Sequence, residues 1–200
     1  MDKKRFVITI GRQFGSGGRF IGRKIAEMLD VPFYDNELLT KASEDSGLSE
    51  AILDSYDERK DSFFSGVMPY NYGIDLSLGQ KVFLAQFDTI KRIAAAGSCV
   101  IVGRCADYVL EDDPNVVSVY VSAPLDYRIK RVIKYYDIKE QKAKDTIIRM
   151  DKKRSSYYNY YTDLKWGRAK NYDLCINSEI GVEKASKAIV DFVKLKLDLE

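Results

Sequence analysis

Short apolar runs alternate along this chain with stretches in which apolar residues recur every third or fourth position. Phe6–Ile10, Cys99–Val102, Val116–Val121 and Leu174–Ile176 are brief and mostly apolar, the pattern of strands covered on both faces. Pro32-Phe33-Tyr34 is a weaker strand candidate. Between them, Ile21, Ile25 and Leu29 share one helical face, and Phe83, Phe87, Ile90 and Ala94 share another before Gly97 stops the helix. Leu125–Tyr136 and Val182–Leu197 are further amphipathic runs. Alternating strand and helix predicts an α/β domain around a parallel sheet, with helices on both faces and the binding crevice at the carboxyl ends of the strands.

Two connections are longer than a simple crossover. Residues 36–75 combine a turn-rich segment, Ser43–Gly47, with an aromatic one, Phe63–Gly73. Residues 123–171 are basic, with Arg128, Arg131, Arg149 and Arg154 among several lysines. Such excursions at the crevice edge read as substrate-binding arms or lids, or else as helical hairpins that pad the fold. A length of 200 residues suits one domain spanning residues 1–200.

Composition narrows the classes. Lys and Arg number 32 against 30 Asp and Glu, a formal charge of +2, so no overall basic field argues for a nucleic-acid partner. No apolar stretch reaches the ~18 residues of a membrane span. Cys99, Cys105 and Cys175 lack C-x-x-C spacing and read as buried thiols of a reducing cytoplasm rather than a disulfide frame or zinc site. The absence of histidine excludes His-based triads and H-E-x-x-H zinc sites. Acid–base work falls to Asp, Glu, Lys, Tyr or Cys.

The chemistry concentrates in Gly11–Arg19, which follows the first apolar run and opens into the first helix pattern. Strand, glycine-rich loop and helix make a phosphate cradle: backbone N–H groups turn toward the anion and the helix terminus adds partial positive charge. Gly15, Ser16, Gly17, Gly18 and Arg19 are the candidate cradle. Set against G-x-x-x-x-G-K-[ST], with Gly17 as the last glycine, the first glycine is replaced by Arg12. The lysine is replaced by Gly18, and the Mg²⁺-binding hydroxyl by Arg19. A cation in a first helical turn is unwelcome unless an anion is near, so Arg19 is expected to supply part of the missing lysine's charge. Gly22, one turn on, allows close helix–strand packing.

Further candidates sit near the other strand ends. Asp35 reads either as the cap of the helix that follows or as a Mg²⁺ ligand through water or a base toward an acceptor hydroxyl. Arg104 reads as a grip on an acceptor phosphate or carboxylate, or as the partner of a nearby acid such as Asp107. Asp107 in turn orients Arg104 or binds a sugar hydroxyl. Arg128 and Arg131 lie about one turn apart and share a helix face. Tyr157, Tyr158 and Tyr161 read mainly as packing residues.

Several blocks resemble the cytidylate kinase-like family of P-loop kinases. They are Ile8-Thr9-Ile10, Gly15–Arg19, Ile21–Ala26 and Pro32–Asp35, then Gly97–Tyr108, Asp151–Arg154, Tyr157–Thr162, Trp166-Gly167 and Tyr172–Ser178. The resemblance implies the P-loop kinase fold: a five-stranded parallel sheet, a monophosphate-binding arm at 36–75 and an arginine-bearing lid at 123–171. It also implies ATP and Mg²⁺ as cofactors and a small-molecule acceptor as partner, with no nucleic acid and no membrane. Among the lid arginines it points to Arg149 and Arg154 as the catalytic pair. The expected activity is ATP-dependent phosphoryl transfer to a nucleoside monophosphate or similar molecule. The alternatives are a hydroxyl kinase with Asp35 as base, or a nucleotide sensor without catalysis. Besides the altered loop, Cys105 stands where the family's Gly-Arg-Asp has aspartate.

Overall fold

The computed structural model describes residues 4–45 and 78–199. Most of the arm expected at 36–75, including its aromatic segment, lies outside the described residues.

The described chain runs β1 (Val7–Arg12), α1 (Gly18–Leu29), β2 (Phe33–Tyr34), α2 (Asn36–Asp45), α3 (Leu78–Ala96), β3 (Cys99–Val102) and α4 (Ala106–Val109). It continues through β4 (Val116–Ser122), α5 (Leu125–Tyr136), α6 (Glu140–Thr162), β5 (Leu174–Asn177) and α7 (Val182–Leu197). The five strands form one sheet in the order β2-β3-β1-β4-β5, parallel throughout. β1 lies at the centre, with Val7 opposite both Cys99 and Val116. The loop that leaves its carboxyl end therefore opens between two neighbouring strand ends.

Side chains on a strand alternate faces, and the core divides accordingly. Ile8, Ile10, Val100, Val102, Val117, Val119 and Val121 face α1 and α7, meeting Ile21, Ile25, Ile189 and Val193. Val7, Cys99, Ile101 and Val116 face the other way, onto Leu39, Ile90, Ala94 and Val109. α1 lies close because residue 22 is glycine: a Cβ there would come within 2.8 Å of Val102 Cγ2. A third, smaller cluster joins Val132 of α5 to Ala143 and Ile147 of α6, with Phe14 of the glycine loop packed against it. The basic excursion is thus a helical hairpin resting on the loop. Cys99 and Cys105 are buried, but Cys175 is exposed. It alternates outward on the edge strand β5, which corrects the expectation that all three thiols are buried.

Candidate active site

Gly15 (φ 78°) and Gly17 (φ 86°) take left-handed conformations, which glycine adopts without the Cβ penalty. They fold the loop back over the end of β1. Gln13 anchors it: its N–H donates to Val121 O at 3.0 Å, and its Oε1 accepts from Ala123 N at 3.0 Å. Ser16 is turned inward, its hydroxyl donating to Gln13 O at 2.9 Å while its carbonyl accepts from Ser178 Oγ at 2.5 Å. It braces the loop from behind. The backbone N–H groups of Gly15, Gly17, Gly18 and Arg19 have no acceptor among the described residues. The last two belong to the first turn of α1, where no intrahelical acceptor exists.

These groups edge a cavity of about 410 Å³. Arg12, Asp35, Arg104, Asp107, Lys153 and Arg154 bring its charges, and Trp166 and Tyr172 close one side. Arg104 follows Gly103 (φ 84°), and Arg104 and Cys105 are themselves left-handed at φ 56° and 55°. Consecutive non-glycine residues in this region cost about 1–2 kcal/mol each, strain of the kind that collects at functional sites. The turn carries Arg104 into the cavity. Its Nε donates to Asn36 Oδ1, and its guanidinium lies 5.3 Å from the Tyr157 ring centroid. Asp107 does not pair with Arg104. It accepts from Tyr158 Oη at 2.7 Å, and burial pushes its carboxyl above the usual range despite that bond.

Asp35 is 4 % exposed. One oxygen accepts from the N–H groups of Glu37 and Leu38 at 3.1 and 3.2 Å, and the other pairs with Arg19 Nε at 2.7 Å. It caps α2 and holds Arg19. Arg19 also reaches Glu37 at 3.1 Å, so its side chain leans outward along the rim.

On α6, Met150, Lys153, Arg154, Tyr157 and Tyr158 face the cavity, spaced as one helical face. Arg154 donates to Arg12 O at 3.0 Å and lies 5.4 Å from the Phe14 ring centroid. Burial lowers its pKa. Arg149 is exposed and lies outside the cavity lining. Arg128 is 8 % exposed and donates to Asp151 Oδ2 at 2.5 Å, while Asp151 Oδ1 accepts from Phe14 N at 2.7 Å. Arg131 lies 5.3, 5.8 and 4.9 Å from the centroids of Phe20, Tyr127 and Tyr135. Arg128 is thus engaged by the hairpin itself, whereas the Arg131 guanidinium lies against Gly17 of the loop with its Nε unpartnered.

Arg12 is the chief residue the sequence reading passed over. Its side chain crosses the cavity floor: a Cβ on Gly18 would lie 2.6 Å from Arg12 Cβ, and one on Gly103 would collide with Arg12 Nη1. No hydrogen bond or ion pair engages its guanidinium among the described residues. Burial, then the charges of Arg154 and Arg104, push its pKa down to about 9. The signal was present as two departures read separately, an arginine at the first glycine position and a glycine at the lysine position. Lys153 was seen only as part of the basic stretch, because α6 has too few apolar residues to reveal its inner face.

A second cavity, of about 520 Å³, lies behind Asp107 and Tyr158. Glu111, Asp113 and Asp173 dominate it, and an anion is unwelcome there.

The fold is that of a P-loop kinase, with a glycine loop after its first strand. Among solved structures with this fold, shikimate kinase from Bacteroides thetaiotaomicron superposes with a TM-score of 0.56 at 14 % identity, over 96 % of this chain and 99 % of that one. The sequence matches the Cytidylate kinase-like family over residues 7–180, and the chain belongs to that family. A curated cytidylate kinase from Staphylothermus marinus is 25 % identical over 191 residues, covering 94 % of this chain and 96 % of its own. An uncharacterized protein from Eubacterium ventriosum superposes with a TM-score of 0.75 at 30 % identity, over 95 % of this chain and 99 % of that one.

Proposed function

We propose that this protein is an ATP-dependent phosphotransferase whose acceptor is a nucleoside monophosphate, cytidylate-like in kind. The observation that carries the reading is convergence. Arg12, Arg104 and Arg154 line one cavity together with the open N–H groups of Gly15, Gly17, Gly18 and Arg19. A polyphosphate answers both the cationic excess and the unmet donors. The relatives that bear the name cytidylate kinase support the choice of acceptor.

In this reading the N–H groups of Gly15, Gly17, Gly18 and Arg19 hold the donor phosphates. Arg104, set by its left-handed turn, grips the acceptor's phosphate. Arg154, with Lys153 beside it, offsets the charge spread over the phosphoryl group in transit. Arg149, on the outer side of α6, adds to the basic field of the hairpin. An ionised phosphate acceptor needs no base. Asp35 is already committed to the first turn of α2 and to Arg19, which favours a phosphate acceptor over an alcohol.

ATP would bring the phosphoryl group and fits the donor set. A Mg²⁺ site held by the protein does not fit: Arg19 replaces the usual hydroxyl, Asp35 faces Arg19, and no cluster of three or more acidic or thiol ligands occurs among the described residues. Phosphate oxygens and water would hold such an ion.

The test is turnover. Purified protein with ATP and Mg²⁺ is offered CMP, UMP, AMP, GMP, shikimate and simple polyols, and products are identified by mass. Formation of a nucleoside diphosphate is expected, fastest with a pyrimidine. Phosphorylation of alcohols alone, or of no acceptor, would refute the assignment.

A further inference from the structure

We infer that Arg12 takes over the role of the missing P-loop lysine, contacting the terminal phosphates of the bound nucleotide from the position where the standard loop has its first glycine. The inference rests on the polyphosphate reading of this cavity and names the residue that completes it.

Three observations carry it. The first is steric. The stem of Arg12 fills the space beside Gly18, with Cβ and Cγ 2.6 and 2.9 Å from where a Cβ on residue 18 would stand. A lysine at 18 and an arginine at 12 are mutually exclusive. The two departures are therefore one exchange, a cation moved from the helix terminus to the end of β1. The second is position. Arg12 Nη1 abuts Gly103, next to Arg104, so the guanidinium lies between the donor cradle and the acceptor arginine. The transferring group must pass there. The third is unmet demand. The side chain has no hydrogen bond or ion pair among the described residues, and its charged neighbours include Arg154 and Arg104. A guanidinium keeps its proton in a protein, and with Asp35 the only carboxylate among those charged neighbours, a bound anion would relieve the site. A planar fork suits phosphate oxygens as well as an ammonium does, and grips two of them.

Of the other cations at the loop, Arg19 is pinned by Asp35 and Glu37 on the rim. Arg131 packs among three aromatic rings with its guanidinium against Gly17 and its Nε without a hydrogen-bond partner, a second cation at the loop.

The experiment is calorimetric titration of ATP, AMP and inorganic tripolyphosphate into the full chain, with folding checked by thermal unfolding. The variants are Arg12→Gln, Arg12→Gly, Gly18→Lys and the Arg12→Gly/Gly18→Lys pair. Lys24→Gln, whose residue pairs with Glu183 away from the cavity, is the control. Loss of one charged contact scales to about ten- to a hundredfold, and that loss is expected for ATP and tripolyphosphate in Arg12→Gln. AMP should change by less than about threefold, since it lacks the phosphates concerned. The double variant should recover at least about tenfold over Arg12→Gly, whereas Gly18→Lys alone should bind worse than the unaltered protein. Should Arg12→Gln fail to fold, the Arg12→Gly and double-variant comparison decides.

Folded Arg12→Gln that binds ATP and tripolyphosphate like the unaltered protein overturns the inference. So does a folded double variant no better than Arg12→Gly. The underlying reading fails separately: Arg12-dependent binding of tripolyphosphate without binding of ATP would sustain Arg12's role while removing the nucleotide. Turnover of CMP that survives Arg12→Gln intact would do the reverse.

Discussion

Replacing Asp151 with alanine should loosen the glycine loop and cost the whole domain stability. The carboxylate ties three elements together. It accepts from Phe14 N–H at 2.7 Å and from Arg128 Nη1 at 2.5 Å, and the same Nη1 lies 3.4 Å from Phe14 O. The side chains of Arg128 and Asp151 are 10 % and 18 % exposed, and Arg128 Nε has no partner in its buried position. Removing the carboxylate strands a nearly buried cation, a change that costs about 3–5 kcal/mol. The residual exposure lets water reach the gap, so the low end, about 3 kcal/mol, is expected. Two charge-assisted hydrogen bonds at about 1.5–3 kcal/mol each give the same scale. For a domain of this size that lowers Tm by about 6–12 °C. Urea unfolding is the assay, with Arg128→Ala and the double variant completing the cycle. Because Arg128→Ala removes the stranded charge, the double variant should be less destabilised than the sum of the singles. A loss below about 1 kcal/mol, or simple additivity, would refute the argument that this ion pair fixes the loop.

Other outcomes follow from the same geometry. If turnover is found, Arg104→Ala should chiefly raise the acceptor KM, and Arg154→Ala should chiefly lower kcat, because only the latter's contact strengthens as charge moves; steady-state kinetics separates them. Asp107→Asn should leave stability at neutral pH unchanged or raised. Burial lifts the folded carboxyl's pKa, so its charged form opposes folding above the unfolded value, and that opposition fades as pH falls through the folded one. Thermal unfolding at pH 7 and pH 4 tests the sign. Asp113 and Asp173 behave oppositely: burial raises both, but hydrogen bonds from Arg5 and Lys196 outweigh it and depress them. Their contribution is present above the ordinary carboxylate range and lost as pH falls below it, so Asp113→Asn should flatten the acid limb of a stability–pH curve. Burial pushes the Cys99 and Cys105 thiols up to about 12, and Cys175 is exposed. A thiol reagent at pH 8 should modify Cys175 alone until denaturant is added.

The strands were legible because each is a short, mostly apolar run; β3 and most of β1 and β4 are buried, and even the partly buried β2 and β5 show as Phe33-Tyr34 and Leu174–Ile176. α1, α3 and α7 were legible from their apolar stripes. α6 was not. Its 23 residues bury only Ala143, Ile147, Tyr158 and Thr162, too sparse a stripe to stand out among the lysines. The strand order was equally hidden, since pairing β1 with both β3 and β4 is decided by long-range packing. At the candidate site, the sequence pointed to the glycine loop, Arg104 and Arg154, all of which border the cavity. It could not show which way an arginine leans. Arg19 and Arg12 are both loop cations in the sequence, and only the positions of Asp35, Gly18 and Gly103 separate one from the other. Asp35 illustrates the same limit: a capping carboxylate and a base look alike until its hydrogen bonds are seen.

The central claim is that a nucleotide's phosphates rest on the glycine loop. A crystal structure of the protein with a non-hydrolysable ATP analogue tests it most directly. The account predicts phosphate oxygens on the N–H groups of Gly15, Gly17, Gly18 and Arg19, with the guanidinium groups of Arg12 and Arg154 on the terminal phosphate. Phosphates bound elsewhere, or placed on the loop with Arg12 turned away, would contradict it.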